Sequence, residues 1–192
     1  AGTLDPMATG VLVLGFGFGT KLLQYITDGE KQYQGTILLG RATTTDDAEG
    51  DVIFTGDTST VTEEAIENEL SKMRGVIMQR PSSVSAIRID GERAYDLVRE
   101  GIEVDIPARK VTISRLHVDA VRKYDGVIEV DIDVICSAGT YIRSIARDLG
   151  AALGSGGHLI ALRRTRVGRF TLEDAISIRD LKERSFHPKT IT

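Results

Sequence analysis

Val111-Thr-Ile-Ser-Arg-Leu-His-Val-Asp-Ala-Val121 and Val127-Ile-Glu-Val-Asp-Ile-Asp-Val-Ile135, joined through Tyr124-Asp125-Gly126, are the stretch whose reading sets the fold class. Both runs alternate apolar and polar residues, the pattern of strands with one face buried and one face wet. Asp-Gly between two such runs is a hairpin signal, because that pair accepts the positive φ values of a tight turn. Long antiparallel strands therefore form the centre of the protein.

Working outward, residues 32–39 read as another strand closed by Gly40, residues 11–14 as a buried strand, and residues 52–54 as a short one. Residues 43–50 are small and acidic, the composition of a loop. Helical spacing predicts a short helix over residues 20–26 with Leu22, Leu23 and Ile26 inward. A second helix carries Ala65, Ile66, Leu70 and Met73, is capped by Thr60 or Thr62 and is stopped by Gly75. A third runs over residues 141–153 with Ile142, Ile145, Ala146 and Leu149 on one face. Residues 76–109 hold short apolar pieces between Pro81, Gly91 and Gly101, with a helix over residues 93–99, and read as an excursion from the core. Residues 181–192 show no pattern. Antiparallel strand pairs interleaved with a few helices predict an α+β fold rather than a doubly wound one.

With 192 residues, 41% of them apolar and 27% charged, the chain is long enough for one catalytic domain with its own core. Cys136 is the only cysteine, which excludes an internal disulfide and suits a reducing, cytoplasmic setting. The longest apolar run, residues 11–18, is interrupted by Gly15 and Gly17 and falls far short of the roughly 20 residues of a membrane helix, so no membrane span is expected. The chain opens without Met and inside a motif, so a preceding segment is expected. The net charge is −4, yet residues 141–170 carry Arg143, Arg147, Arg163, Arg164, Arg166 and Arg169 against Asp148 alone. Such a basic face on an acidic body is compatible with RNA.

Several chemistries are excluded by order and spacing. In Gly15-Phe-Gly-Phe-Gly19-Thr20-Lys21 the hydroxyl precedes the lysine, the reverse of a phosphate loop, and the glycines miss the dinucleotide spacing. His117, His158 and His187 share no metal-binding spacing, so no metal is expected. There is no Gly-x-Ser-x-Gly elbow, and Cys136 ends an apolar strand as a core thiol.

What remains is Gly2-Thr-Leu-Asp5-Pro-Met-Ala-Thr-Gly10-Val-Leu12. Taken alone, an Asp before a Pro is a turn residue. As a whole the string resembles the signature loop of the TruB family of tRNA pseudouridine-55 synthases. Asp28-Gly-Glu-Lys31-Gln-Tyr33 with Leu39-Gly40 and Thr43-Thr-Thr-Asp-Asp47-Ala-Glu-Gly50 is similar to that family's second block. Gln79-Arg-Pro81-Ser-Ser-Val-Ser85-Ala86-Ile87, with Gly91 and Arg93-Ala94-Tyr95, resembles the block entering its RNA-gripping thumb. Cys136-Ser-Ala-Gly139-Thr-Tyr141-Ile-Arg143 followed by Ala146-Arg-Asp148-Leu-Gly150, and then Leu162-Arg-Arg164-Thr165 with Gly168 and Phe170, resemble the last two blocks. The blocks run in the family's order from residue 2 to about residue 180. Where many members have Pro-Pro-x-Tyr-Ser-Ala, this chain has Pro81-Ser82-Ser83-Val84-Ser85-Ala86 and lacks the aromatic.

The resemblance implies a pseudouridine synthase fold: a central mixed, mostly antiparallel sheet flanked by helices and loops, with a thumb-like insertion at about residues 76–109. It implies a catalytic domain over residues 1–180, with residues 181–192 starting a C-terminal segment or tail. It implies isomerisation of the T-loop uridine at tRNA position 55, with the tRNA T-arm as partner and without cofactor, metal or guide RNA, by a protein expected to be monomeric. Asp5 would be the nucleophile, Arg143 its orienting partner, and Tyr33 the ring that stacks on the flipped base. Tyr141, Leu162, Asp47 and Arg164 would contact substrate. The residues themselves leave other readings open: a solvated arginine at 143, core packing for Leu162, a capping acid at Asp47, and a solvated charge run at Arg163, Arg164 and Arg166. Strand alternation puts Arg164 and Arg166 on one face and Arg163 on the other. A non-catalytic RNA-binding or tRNA-folding module on the same scaffold is the rival reading. Whether Asp5 attacks uracil C6, attacks ribose C1′, or removes a ribose proton to give a glycal is open at the level of sequence.

Overall fold

In the computed structural model the alternating runs form strands β8 (Arg109–Tyr124) and β9 (Val127–Cys136), joined by a tight turn in which Gly126 takes a φ of 74°. The structure describes residues 2–82 and 106–183, with the strand backbone at residues 88–89 and 92–93. The sequence expectations at residues 83–87, the helix over 93–99 and the tail beyond residue 183 lie outside the described residues.

In chain order the other elements are β1 (Thr9–Gly10), a 3-10 turn (Gly17–Leu22), α1 (Leu23–Thr27), β2 (Lys31–Leu39), β3 (Arg41–Thr43), β4 (Val52–Thr55), α2 (Glu63–Lys72) and β5 (Gly75–Gln79). Strands β6 (Arg88–Ile89) and β7 (Glu92–Arg93) pair with each other ahead of β8 and β9. After β9 come α3 (Ile142–Ala152), β10 (Gly157–Val167), β11 (Phe170–Thr171), a second 3-10 turn (Leu172–Asp174) and α4 (Ile178–Glu183). The main sheet runs β1-β10-β2-β9-β8-β5, with β11 also on β10. Only the β1–β10 pair is parallel among its described pairs. The fold is therefore α+β around a mixed, mostly antiparallel sheet.

Alternation decides which face is dry. Lys31, Tyr33, Gly35, Ile37 and Leu39 of β2 are buried, while Gln32, Gln34, Thr36 and Leu38 lie on the other side with more exposure. The dry face meets α2 through Ile66 and Leu70 and α3 through Ile142, Ile145, Ala146 and Leu149, forming one core with Ile113, Leu116, Val130, Ile132, Val134 and Leu159. Thr62 caps α2 by accepting from the Ala65 amide at 3.1 Å, which satisfies one of the free donors of the first turn. On the wet face the polar side chains bond each other, as in Arg122 with Glu129 and Asp131 and in Gln32 with Asp133.

Three sequence expectations are corrected. Residues 11–14 are not a strand: pairing stops at Gly10, only Val11 is buried, and Leu12 and Leu14 are exposed because the chain leaves the sheet at its edge. The predicted helix over residues 20–26 splits into a 3-10 turn and α1, and Leu22 faces outward, since this segment has only the sheet margin to pack on. Residues 76–79 belong to the edge strand β5 rather than to an excursion; Val76 and Met78 point to solvent, so the strand has no dry-face signature. No helix among the described residues is long and apolar enough to cross a membrane.

Candidate active site

The string around Asp5 is shaped by its glycines and its proline. Asp5 starts a turn in which the Ala8 amide donates to the Asp5 carbonyl at 2.9 Å, with Pro6 pre-set for the second position. The chain then pairs with β10, placing Gly10 opposite Arg164. Gly10 has a φ of 103°, and a Cβ there would lie 2.1 Å from the Arg164 carbonyl oxygen, so only glycine fits. The pairing of β10 with β2 sets Arg164 opposite Tyr33. Gly10, Arg164 and Tyr33 thus stand in one row across three strands, beside the turn that carries Asp5.

Arg143, in the first turn of α3, completes the centre. Its side chain is 6% exposed, and Nη2 donates to Asp5 Oδ1 at 3.0 Å. Nη1 donates to the Thr45 carbonyl at 3.1 Å and lies 3.4 Å from Asp47 Oδ2. The guanidinium is shared among three acceptors rather than paired in a fork with Asp5. Asp5 keeps 29% of its side-chain surface, whereas Asp47 is buried and also accepts from the Thr45 hydroxyl and the Glu49 amide. A cation this dry, donating to a half-exposed carboxylate, fixes the direction of that carboxylate.

Around this centre the predicted residues are placed differently. Tyr33 is 8% exposed, and burial is the main force raising its phenol above the usual range, opposed by the adjacent Arg164 guanidinium, so the ring is neutral. Tyr141 precedes α3. Its backbone is held by both ends of the buried Gln79 amide, at 2.8 and 3.0 Å, and the Arg109 guanidinium lies 5.5 Å from its ring centre. Leu162 is 7% exposed and belongs to the core cluster.

Arg164 is the correction. A substrate contact needs an exposed guanidinium, but Arg164 is fully buried and donates to the carbonyls of Val11 at 2.8 Å, Thr3 at 3.4 Å and Gly2 at 3.2 Å. A register shift between Arg164 and Arg166 also breaks the expected alternation, and Arg166 bonds Glu30 at 2.7 Å. Arg164 clamps both flanks of the Asp5 loop.

Sequence reasoning also missed partners that carry no residue-type signal, such as the Thr45 carbonyl, and the pair Asp46–Arg147 beside the centre, with Nη1 to Oδ2 at 3.2 Å. The spacing of Arg143 and Arg147 by one helical turn was the available clue. Burial pushes the Asp46 carboxyl above its ordinary range, and Arg147 opposes that shift. His158 is a core histidine whose Nδ1 meets the Arg41 carbonyl at 2.9 Å. Burial pushes the Cys136 thiol up to about 11, which makes it a poor nucleophile. A cavity of about 230 Å³ between Ala42, Phe54, Arg147 and Gly150 does not include Asp5.

Comparison with known proteins gives the family of the chain. The TruB family pseudouridylate synthase N terminal domain matches residues 1–142, and the tRNA pseudouridylate synthase B C-terminal domain matches residues 143–190. The tRNA pseudouridine synthase B of Corynebacterium efficiens is 58% identical over 183 residues, 95% of this chain and 62% of the relative. That of Mycolicibacterium paratuberculosis is 57% identical with the same coverage. The chain thus spans about 62% of the length of these curated relatives. Among solved structures, a Cbf5-Nop10-Gar1 complex aligns with a TM-score of 0.69 and 29% identity, covering 95% of this chain and 44% of that one. An H/ACA RNP bound to a substrate RNA containing 2′-deoxyuridine aligns at 0.66 with 27% identity, covering 95% and 42%.

Proposed function

The chain belongs to the TruB family of pseudouridylate synthases, and on that premise we propose that it isomerises the T-loop uridine of tRNA to pseudouridine, with Asp5 as the reacting carboxylate. The observation that carries this reading is the 3.0 Å contact between half-exposed Asp5 and buried Arg143. An RNA-binding module has no need of a carboxylate held this way, which weighs against the non-catalytic rival. Relatives named tRNA pseudouridine synthase B support tRNA as the substrate class.

The reaction breaks the C1′–N1 bond, turns the uracil, and joins C1′ to C5, whose hydrogen leaves as a proton while the freed N1 takes one up. No electrons, phosphate or metal enter the balance. Asp5, oriented by Arg143, serves as nucleophile at C6 or C1′ or as the base that takes a ribose proton. The target must leave its stack, and Tyr33 offers a neutral aromatic face worth about 1–3 kcal/mol per stacked base. Tyr141 and Leu162 line the uracil side, while Asp47 holds Arg143. Residues 1–180 act as one catalytic domain, with the segment after Gln79 as an RNA-gripping thumb. The enzyme works as a cytoplasmic monomer without a guide RNA.

The test is release of tritium from C5-labelled uridine in a tRNA transcript by the full-length protein and by its Asp5→Asn variant. The parent should release label, and the variant should bind the transcript and release none. A folded parent that binds tRNA without release, or a variant that retains the activity, defeats the assignment.

A further inference from the structure

Asp46 is the one non-glycine residue with positive φ among the described residues, at 60°. A side chain is held in that region only where its surroundings enforce it. Here the left-handed turn sends two consecutive carboxylates to one helix: Asp47 Oδ2 lies 3.4 Å from Arg143 Nη1, and Asp46 Oδ2 lies 3.2 Å from Arg147 Nη1. Arg143 and Arg147 are four residues apart on α3 and so neighbours on its surface.

Arg147 reaches further. It donates to the Arg80 carbonyl at 2.8 Å and the Pro81 carbonyl at 3.5 Å, where β5 has ended, and its Nε donates to Asp148 at 2.9 Å. Next along that segment, the Ser82 hydroxyl donates at 3.2 Å to the Thr45 carbonyl, which also accepts from Arg143. Helix α3, the turn at residues 45–47 and the segment at 80–82 are therefore closed into a ring of polar contacts. Two of the three acceptors that hold Arg143, the Thr45 carbonyl and the Asp47 carboxylate, flank Asp46 in the chain.

We infer that the Asp46–Arg147 pair is a positioning device for the reaction: it fixes the 45–47 turn, the turn fixes Arg143, and Arg143 fixes Asp5. The inference rests on the synthase reading above. Both members are positioning residues, acting through Arg143 rather than on the uridine.

The test uses Asp46→Asn, Arg147→Met and the double variant in the full-length protein; asparagine tolerates the left-handed turn, so the backbone is preserved. Three quantities are read: single-turnover tritium release, Kd for the transcript, and hydrogen exchange at the Glu49 and Gly50 amides, which bond Asp47 Oδ1 at 3.0 Å and the Asp47 carbonyl at 3.5 Å. Each single variant should slow release about tenfold and speed exchange at both amides, with Kd changed less than about twofold. The double should also lose about tenfold, because residues acting as one unit are not additive. Arg147→Lys should recover part of the rate. Unchanged release, a weakened Kd with normal release, or a roughly hundredfold loss in the double overturns the inference. A parent that releases no tritium defeats the synthase reading and with it the pair's part in the reaction; faster exchange in the variants then shows only that the pair holds the turn, and unchanged exchange defeats that as well.

Discussion

A guanidinium with no exposed surface has to find acceptors inside the protein, and Arg164 finds them on Gly2, Thr3 and Val11, on both sides of Asp5. Removing that donor leaves the buried Val11 carbonyl unpaired, at a cost of about 1–3 kcal/mol, and also releases the part-buried carbonyls of Gly2 and Thr3. Arg164→Met should therefore lower stability by about 3 kcal/mol in urea unfolding, with tritium release reduced even where the variant is fully folded. Gly10→Ala tests the same clamp from the other strand, because its Cβ would sit 2.1 Å from the Arg164 carbonyl oxygen at a φ of 103°. The strand would have to part, so the loss should equal or exceed that of Arg164→Met, given costs of about 1–3 kcal/mol for forbidden backbone alone. A Gly10→Ala variant that melts like the parent would show that β1 does not hold the Asp5 loop. The sequence motif marked both positions as belonging to the site; it did not tell a substrate contact from a scaffold, because burial depends on a strand more than a hundred residues away.

At the scale of the element, α3 links core and site: Ile145 and Leu149 face the sheet, while Arg143 and Arg147 lie on the adjoining side. Leu149→Ala should cost about 2–5 kcal/mol by leaving a cavity in the core. Thr62→Ala, which removes only the cap of α2, should cost about 1 kcal/mol. Equal losses in chemical denaturation would mean that α3 does not anchor the core. This helix, β2 and the β8–β9 hairpin were legible because one face of each is dry over many residues, so the period survives in the composition. Strand β1 was not, since two residues carry no period. Strand β5 was not, because its apolar Val76 and Met78 point outward. Within the site, Asp5, Tyr33, Asp47 and Arg143 were legible as a motif. Acceptors such as the Thr45 carbonyl were not, because every residue has one.

For the whole molecule, the arginine-rich run of residues 141–170 suggested a basic face on a chain of net charge −4. Folding pairs most of that charge within the protein: Arg143 is held by Asp5 and Asp47, Arg147 by Asp46 and Asp148, Arg164 by carbonyls, and Arg166 by Glu30. Arg163 and Arg169 remain exposed, the latter 5.4 Å from the Phe170 ring centre. A phosphate contact releases condensed counterions, so the number of arginines that meet RNA is readable from the salt dependence of binding. Replacing Arg163 by Gln should weaken transcript binding and reduce the slope of log Kd against log salt by about 1, and adding Arg169→Gln should remove about 1 more. Arg166→Gln should leave the slope alone, because Glu30 neutralises that charge before RNA arrives. Filter binding across a salt series measures all three. A slope that drops on replacing Arg166 would mean that the Glu30 pair opens on binding and that the paired Arg166 is a reserve for phosphate. A slope indifferent to Arg163 would place the RNA backbone on another face of the sheet.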